Sequence, residues 1–506
     1  MLRVELGMPQ KFLRRWQVEL ARRLSRLPDV SVGTRWSKES DEQLPSCVGT
    51  LLSLERVLNG VLADLTAPAA PTDLYAFVGT GGVDPDLVID LGGGHPSAGR
   101  RRWRLTFDGQ AGDAPILAAL LARRAPVIAV SDSVGGRVLA EARPGLPEAD
   151  TVAQGFEAVV TRAIDLVHTA VRGGGAPLRL QTTTSPLSCE VAFGRATRAL
   201  ADAALARLSR LAREPAHMRV GWRFVSGPDV VDLATHPAAG WQVLPDDGER
   251  CYSHPFPVVR NSEPWLYVTE RDVRLGTNVI SVVKFGPDGP LGVPAPVRDL
   301  PANLSNPFVF EAEGTVWMIP ESRDGNAIDL YRASDFPHGW RHEARLVDGI
   351  RAGSPTPFRH NGRWWLSATV RDGGGAADML HLWSAGQIRG PWRAHPRNPV
   401  LIDAAAAAGA GRVVERAGRL IRPVRDRRDG RSGLALAEII HLDEESFEQR
   451  ILAEIAPSPL WPGRSVSTLN RAGSIECIDG ADFAVSAIRP GKPARDDAAR
   501  AQLETV

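Results

Sequence analysis

Residues 306–314, with the sequence NPFVFEAEG, lead into the apolar segment 316–319 (VWMI), and this arrangement returns along the C-terminal half of the chain. A short strand, a turn at Asn or Gly and a second strand rich in aromatic residues are typical of a β-hairpin. Related segments recur at intervals of about 50 residues, as propeller blades do. They are 254–261 (HPFPVVRN), 354–362 (SPTPFRHNG), 411–418 (GRVVERAG) and 467–473 (STLNRAG). The sequence therefore predicts an all-β five-bladed β-propeller with one central funnel.

The first 172 residues follow a different pattern, in which strand and helix periodicities alternate. Strands are predicted at 2–8, 30–32, 86–91, 103–107 and 126–130, and helices at 12–27, 51–62, 116–124 and 151–171. This order predicts an α/β open-sheet N-terminal domain. The predicted divisions are 1–172 for this domain, 173–217 for a linker and helix, 218–485 for the propeller and 486–506 for a disordered tail.

Composition and charge argue against several classes of protein. The 60 basic and 59 acidic residues nearly cancel, so a nucleic-acid partner is not expected. No apolar run approaches the length of a membrane span and the first residues lack a signal core, so we expect a cytoplasmic protein without an integral membrane segment. The four cysteines have no paired spacing, so neither a metal site nor a disulfide framework is expected. No cofactor is predicted, and the sequence does not indicate an oligomeric state.

The N-terminal domain offers two glycine clusters, at 79–82 and 92–94. Neither has the spacing of a dinucleotide-binding or phosphate-binding loop, so turns are the main interpretation and ligand contact is the alternative. His95 together with Asp108 or Asp113 is a candidate acid–base pair beyond the sheet edge. A histidine beside a proline in a loop has a structural role more often.

Polar residues near the ends of the inner strands are predicted to converge on the funnel. At the starts of first strands these are His254, Asn306, Ser354 or Thr356, and Asn470. At the far ends of second strands they are Glu270, Glu321, Arg422 and Asp426. Glycosyl chemistry needs two carboxylates, so Glu321, Asp426 and Glu270 are the catalytic candidates. Arg422 is the candidate for binding an anionic group. The alternative is that these acids pair with neighbouring arginines and tie blades together.

Most of the tryptophans are interpreted as blade packing. Trp364 and Trp365 are adjacent, and adjacent strand residues face opposite sides of a sheet. Only one of them is expected to be buried in its own layer, so Trp365 is a candidate platform for a sugar ring.

Three runs resemble a known family: residues 306–322, 329–340 and 390–400. They resemble the propeller domain of glucosamine inositolphosphorylceramide transferases, which is similar to the five-bladed furanosidase-type glycoside hydrolases. In bacterial proteins of polysaccharide loci this propeller often follows a formyltransferase-like α/β domain, and residues 1–172 fit that order. The resemblance covers Glu321, Arg332, Arg422, Asp426 and Asn470, and it adds Arg332 to the candidates for substrate binding. The family usually begins its first blade with Asp, where this chain has His254.

These observations predict a role in glycan or glycolipid assembly, with a sugar, nucleotide-sugar or glycolipid as ligand. One hypothesis is a glycosyltransferase or glycosidase-like enzyme that uses the funnel. A second is a catalytically inactive propeller that binds a carbohydrate or a partner. A third is formyl or acyl transfer in the N-terminal domain, where we find no complete set of the Asn, His and Asp that formyl transfer needs.

Overall fold

The computed structural model of the protein describes residues 1–9, 11–36, 44–59, 65–77, 84–92, 101–146, 151–188, 190, 194, 217–272, 275–373, 377–428 and 433–481. His95, the glycine cluster at 79–82, nearly all of the predicted helix after the linker and the tail at 486–506 lie outside these residues.

The N-terminal region forms a six-stranded mixed sheet with helices packed against it. Its strands are β1 (Leu2–Met8), β2 (Val30–Trp36), β3 (Leu87–Asp90), β4 (Arg101–Phe107), β5 (Ile128–Asp132) and β6 (Val138–Ala142). The order across the sheet is β2-β1-β3-β4-β5-β6. The first four strands are parallel, whereas β5 and β6 are antiparallel. Strand β6, five residues that follow two glycines, was not predicted from the sequence.

The helices of this region are α1 (Arg15–Ser25), α2 (Ser46–Asn59), α3 (Ala114–Leu121) and α4 (Val152–Val171), with a 3-10 helix at Pro71–Phe77. Helix α4 begins where the Thr151 side chain accepts a hydrogen bond from the Gln154 backbone N–H, as N-cap residues do. It is buried along most of its length and contacts α1, α3 and β6. It therefore forms the centre of this core.

In the second half, each blade is an antiparallel sheet of strands that follow one another in sequence. Blade 1 contains β9 (Arg250–Arg260), β10 (Glu263–Asp272), β11 (Asn278–Gly286), β12 (Gly289–Pro290) and β13 (Ala295–Pro296). Blade 2 contains β14 (Leu304–Ala312), β15 (Thr315–Ser322), β16 (Ala327–Asp335) and β17 (Gly339–Asp348). Blade 3 contains β18 (Ala352–His360), β19 (Arg363–Val370), β20 (Met379–Ala385), β21 (Arg393–Ala394) and β22 (Leu401–Ile402).

The last two blades complete the ring. Blade 4 contains β23 (Ala408–Gly409), β24 (Val414–Arg416), β25 (Arg419–Asp426), β26 (Gly433–Leu442) and β27 (Phe447–Ile455). Blade 5 joins β28 (Thr468–Ala472) and β29 (Ile475–Ala481) to β7 (Met218–Phe224) and β8 (Gln242–Val243). A short helix, α5 (Val230–Leu233), lies between β7 and β8.

The described residues between 217 and 481 thus form five blades, which confirms the predicted five-bladed propeller. Neighbouring blades are in contact through β9 with β14, β14 with β18, β18 with β23 and β25 with β28, and β28 contacts β9, so the ring is closed. Closure depends on β29, which pairs antiparallel with β7. The repeat in the sequence does not indicate that blade 5 takes its outer strands from residues that precede blade 1.

Buried ion pairs join α4 and β6 to the propeller. The side chain of Arg162 is fully buried, and its Nε donates to Asp378 Oδ1 of blade 3 at 2.9 Å. Its Nη1 donates to Asp165 Oδ2 at 2.8 Å. Arg143 donates to both carboxylate oxygens of Asp403, at 2.7 and 2.9 Å. These contacts connect the two halves of the chain directly.

Three further features bear on function. Cys47 is disulfide-bonded, contrary to the expectation from the cysteine spacing, whereas Cys251 and Cys477 are free and buried. Among the described residues, no group of three His, Cys, Asp or Glu side chains is arranged to hold a metal ion. The described helices include none that is long and apolar enough to cross a bilayer.

Candidate functional site

The first strands of blades 1, 2 and 3 each begin with a bulge. The strand register shifts between Tyr267 and Thr269, between Ser305 and Phe308, and between Gly353 and Thr356. The bulged residues have positive φ values, 50° for His254, 49° for Asn306 and 49° for Ser354. Each is followed by proline. A bulged residue leaves the ladder of its own sheet, so its N–H is available to another blade.

Each bulge N–H donates to a side chain at the end of the second strand of the preceding blade in the ring. The three bonds are His254 N to Asp479 Oδ2 at 2.7 Å, Asn306 N to Thr269 Oγ1 at 2.9 Å, and Ser354 N to Glu321 Oε2 at 2.8 Å. The acceptors therefore lie near the axis, between adjacent blades.

Strand pairing identifies the equivalent residue in every blade. Each occupies the same place on a second strand, opposite the start of the first strand. The pairs are Thr269 with Ser253, Glu321 with Ser305, Thr369 with Gly353, Arg425 with Ala408, and Asp479 with Thr468. We call Thr269, Glu321, Thr369, Arg425 and Asp479 the funnel ring.

His254 lies beside the charged members of the funnel ring. Its Nδ1 is 3.1 Å from Ser253 Oγ. Burial lowers the pKa of His254; Asp479 and Glu321 act to raise it, and Arg425 and Arg427 act to lower it further. The imidazole is therefore neutral near pH 7 and lies close to charges of both signs.

The two carboxylates of the funnel ring differ in how many of their oxygens remain available to a ligand. Asp479 is fully buried, and its oxygens accept from Thr468 Oγ1 at 2.7 Å and from His254 N. Glu321 is partly exposed and uses only Oε2, on Ser354. Among the described residues Glu321 makes no ion pair. Its Oε1 is thus available to a ligand.

Arg412 of blade 4 forms the floor of the funnel. Its guanidinium carbon lies 4.9 Å from the ring centre of Phe256 and 5.5 Å from that of Phe308. Its Nη2 donates to Val309 O at 3.2 Å. These partners belong to blades 1 and 2, which do not neighbour blade 4, so the side chain crosses the axis. Loss of solvation lowers the pKa of Arg412 to about 10.

Glu270 does not belong to the funnel ring, contrary to the prediction. It accepts from Arg250 Nη1 at 3.1 Å and from Ser281 Oγ at 2.8 Å, within blade 1. Its neighbour Thr269 occupies the ring position. Because side chains alternate along a strand, Glu270 faces the other side of the blade.

Arg422 and Asp426 also lie elsewhere than predicted. Arg422 is buried among backbone carbonyls, donating to Ala406 O at 2.8 Å and to Ala407 O. Burial lowers its pKa to about 9. Asp426 is bound by Arg428, with Nε 2.9 Å from Oδ2. Arg425 is the funnel-ring residue of this blade. It is three positions from Arg422 and one from Asp426, so these two side chains face the other side of the strand.

The other predicted binding residues have structural partners. Arg332 lies 3.4 Å from Glu343 on the outer strands of blade 2. Asn470 joins three blades, since its Nδ2 donates to Pro255 O at 3.0 Å and its Oδ1 accepts from Arg412 N at 2.9 Å. Trp365 is buried in the core between blades 3 and 4. Its neighbour Trp364 is buried as well, because adjacent blades cover both faces of blade 3.

In the N-terminal domain the described candidates are already paired. Asp108 accepts from Arg124 Nη1 at 2.6 Å and from Val127 N at 3.0 Å. Asp113 is bound by Arg14, and burial raises its pKa. The Gly92 N–H donates to Asp90 Oδ1 at 3.1 Å, as in a turn. His95, the proposed partner of these acids, lies outside the described residues.

Comparison with known proteins finds a family match that lies within the propeller. The family described as "Glucosamine inositolphosphorylceramide transferase 1, N-terminal" matches residues 291–455, about a third of the chain. The chain is 34% identical over 128 residues to glucosamine inositolphosphorylceramide transferase 1 of Oryza sativa subsp. japonica, covering 24% of this chain and 17% of that protein. The Arabidopsis thaliana protein of this name is 34% identical over 113 residues, covering 22% and 14%. The match thus spans about a sixth of these relatives.

Two solved structures that resemble the chain do so at low sequence identity. An exo-β-1,3-galactanase from Phanerochaete chrysosporium has 16% identity and a TM-score of 0.32, covering 40% of this chain and 51% of that one. A family 117 glycoside hydrolase from Zobellia galactanivorans has 14% identity and a TM-score of 0.34, covering 56% and 98%. The strand pairing within the chain gives the five blades. The formyltransferase-like assignment of residues 1–172 stays a prediction.

Proposed function

We propose that the protein is carbohydrate-active, that it serves glycan or glycolipid assembly, and that its funnel binds the sugar. The observation that carries this proposal is the convergence of Glu321, His254 and Arg425 around one axis, with one oxygen of Glu321 unused. The curated relatives support it, because they are named glucosamine inositolphosphorylceramide transferases. Such substrates present hydroxyl and phosphate groups, which suit a carboxylate and a guanidinium.

The chemistry of Glu321 and His254 suits glycosyl transfer or hydrolysis. Either reaction needs one group to take the proton of the attacking hydroxyl or water and another to assist the leaving group. The neutral imidazole of His254 can accept a proton, and Glu321 Oε1 can bind or protonate an oxygen. Asp479 positions His254 through its backbone N–H. In this assignment the catalytic residues are Glu321 and His254, whereas the sequence predicted Glu321, Asp426 and Glu270.

The alternative is a propeller that binds carbohydrate without reacting. It is favoured by the full occupancy of Asp479, whose two oxygens already accept hydrogen bonds. The funnel ring then offers only Glu321 as an available carboxylate, whereas most glycoside hydrolases use two. Formyl or acyl transfer ranks third, because Asp108 and Asp113 are both ion-paired.

Glu321→Gln separates these possibilities. The full chain is assayed with UDP-N-acetylglucosamine and a panel of aryl glycosides, and binding of the same compounds is measured by calorimetry. We expect turnover to fall at least about 100-fold, as when an acid–base group is removed, with folding retained because the amide oxygen still accepts from Ser354 N. Glu311→Gln, at an exposed position of β14, is the control and should match the wild type.

The other possible results of the Glu321→Gln experiment decide between the remaining hypotheses. Binding that weakens in Glu321→Gln, without turnover by the wild-type chain, would favour the non-catalytic propeller. Turnover that is unchanged in Glu321→Gln would reject the proposed site. Absence of both binding and turnover across the panel would reject the proposed function.

A further inference from the structure

Blade 4 contributes two of the five arginines that are buried among the described residues. The other three are ion-paired: Arg14 with Asp113, Arg162 with Asp378, and Arg223 with Glu476. Arg422 and Arg425, which are 2% and 7% exposed, make no ion pair with any described residue. A buried charge without a counter-charge is costly. Blade 4 therefore carries positive charge that the described part of the chain does not neutralise.

Of these two arginines, only Arg425 is placed to meet a ligand. The terminal nitrogens of Arg422 are occupied by Ala406 O, Ala407 O and Gln449 Oε1. Arg425 is held by its Nε, which donates to Ser467 O at 3.2 Å. Its two terminal nitrogens have no hydrogen-bond partner among the described residues. A guanidinium held in this way presents a planar fork that matches the oxygens of a phosphate or carboxylate.

The surroundings of Arg425 add to its positive charge. Arg412 forms the floor of the funnel, stacked on Phe256 and Phe308. Arg427 is close enough to influence His254. Arg412 and Arg425 make no ion pair among the described residues, whereas the charge of Asp479 is already engaged by two hydrogen bonds.

We infer that the blade-4 side of the funnel is an oxyanion subsite, in which Arg425 binds the phosphate or carboxylate of an anionic sugar. Arg412 adds charge from the floor. Glu321 lies in blade 2, which is not a neighbour of blade 4, so it faces the subsite across the funnel and meets the sugar hydroxyls. This inference rests on the proposed function and specifies the ligand class of the same site.

The test measures binding of four probes to the full chain by calorimetry: glucose 1-phosphate, glucuronate, glucose and inorganic phosphate. In the wild type, at least one anionic sugar should bind about 30-fold or more tightly than glucose, corresponding to ~2 kcal/mol for a desolvated ionic contact. Arg425→Met should remove this advantage, so that the anionic sugars bind no more tightly than glucose. Arg425→Lys should retain part of it, because a point charge replaces the fork. Comparison of the two anionic sugars shows whether phosphate or carboxylate is preferred.

Arg393→Ala is the matched control, because Arg393 is exposed on β21 and makes no ion pair among the described residues. It removes the same charge and should leave every affinity unchanged. Thermal melting gives the folded fraction of each variant, and affinities are expressed per folded molecule. If Arg425→Met fails to fold, Arg412→Gln tests the same subsite and should weaken anionic sugars selectively.

Several results would overturn the inference. Equal affinity for glucose and both anionic sugars would reject the oxyanion subsite and leave the proposed function intact. Inorganic phosphate that binds as tightly as glucose 1-phosphate would show an anion site that does not recognise sugar. An equal loss in Arg393→Ala would show a general charge effect. A wild-type chain that binds no sugar, anionic or neutral, would reject the proposed function as well.

Discussion

Arginines are buried at the interface between α4 and blade 3 and again on the blade-4 side of the funnel, but they are partnered in different ways. At the interface, Arg162 lies between the carboxylates of Asp165 and Asp378. In blade 4, the hydrogen-bond acceptors of Arg422 and Arg425 among the described residues are carbonyl or amide oxygens. A buried ion pair holds the two halves together, since removing one partner leaves the other charge unsolvated. A buried cation without an ion-pair partner among the described residues can bind an anionic group that a ligand supplies.

The funnel ring shows a similar contrast between acceptors. Thr269 of blade 1 and Glu321 of blade 2 have equivalent positions, and both accept a bulge N–H from the next blade. The hydroxyl of Thr269 is sufficient for that hydrogen bond. A carboxylate at position 321 therefore exceeds what the fold requires, which supports its assignment to the ligand.

The largest effect on the free energy of unfolding is expected for Arg162→Met. It leaves the fully buried Asp378 without the arginine it pairs with, whereas Asp165 keeps Arg23, so the free energy of unfolding should fall by about 3–5 kcal/mol. Urea denaturation followed by tryptophan fluorescence measures the loss. Arg298→Met is the control, because it breaks the exposed pair with Asp335 and should cost no more than about 1 kcal/mol. Equal losses in the two variants would contradict a special role for the interface.

Acid should weaken the same interface through His381 of blade 3. Burial lowers the pKa of His381 from 6.5 to about 4; Asp372 opposes this and Arg162 adds to it. Between these values the unfolded chain binds a proton that the folded chain does not. Stability is therefore complete above pH 6.5 and falls as the pH drops towards 4, by at most about 3 kcal/mol from this group.

Unfolding free energies at pH 7 and pH 4.5 test this expectation. The decrease should be smaller in His381→Gln than in the wild type, whereas His360→Gln should behave as the wild type. A decrease of the same size in His381→Gln would assign the acid sensitivity to other groups.

Exchanging acceptors tests the two positions of the funnel ring. Glu321→Thr gives blade 2 the acceptor of blade 1, so stability should change by less than about 1 kcal/mol while sugar binding or turnover is lost. Thr269→Val removes the acceptor of Asn306 N, which should cost about 1–2 kcal/mol without changing affinity per folded molecule. Thermal melting and ligand titration are run on both variants. Retained function in Glu321→Thr would show that the carboxylate has no part in the site.

The smallest effect is expected for Arg422→Met, although Arg422 is as deeply buried as Arg162. Replacing an unpaired buried cation by an apolar side chain of similar length leaves no carboxylate behind. Ala406 O keeps a donor in Gln449 Nε2 at 3.0 Å, and the donor that Ala407 O loses is offset by removal of the buried charge. The free energy of unfolding should change by less than about 1 kcal/mol. A loss comparable to that of Arg162→Met would show that blade 4 needs this charge for folding.

Much of the fold could be predicted from the sequence. The hairpins of the blades and the helices of the first domain came from patterns within short segments, such as the spacing of Trp16, Leu20 and Leu24 in α1. Strand β6 was missed because it is short, and blade 5 was incompletely described because its outer strands come from residues far from β28 and β29.

The candidate site was only partly predictable. His254 and Glu321 were identified because they recur at blade positions rich in polar residues. Arg425 and Asp479 were missed, and Arg422 and Glu270 were chosen instead. A signal was available: aligning the second strands on Trp265, Trp317 and Trp365 places Thr269, Glu321 and Thr369 at the same position, four residues later, so that Glu270 is one residue out of step.

By itself, the sequence determined the five-fold repeat and the segments that become strands, because these depend on interactions between residues close in the chain. Only the tertiary structure decided which side chains meet. A slip of one residue turns a side chain to the other face of a sheet, and the bulges at His254, Asn306 and Ser354 set that register. Closure of the ring then brings Arg412 onto Phe256 and Phe308 of distant blades. Such contacts join residues far apart in sequence, so no local pattern encodes them.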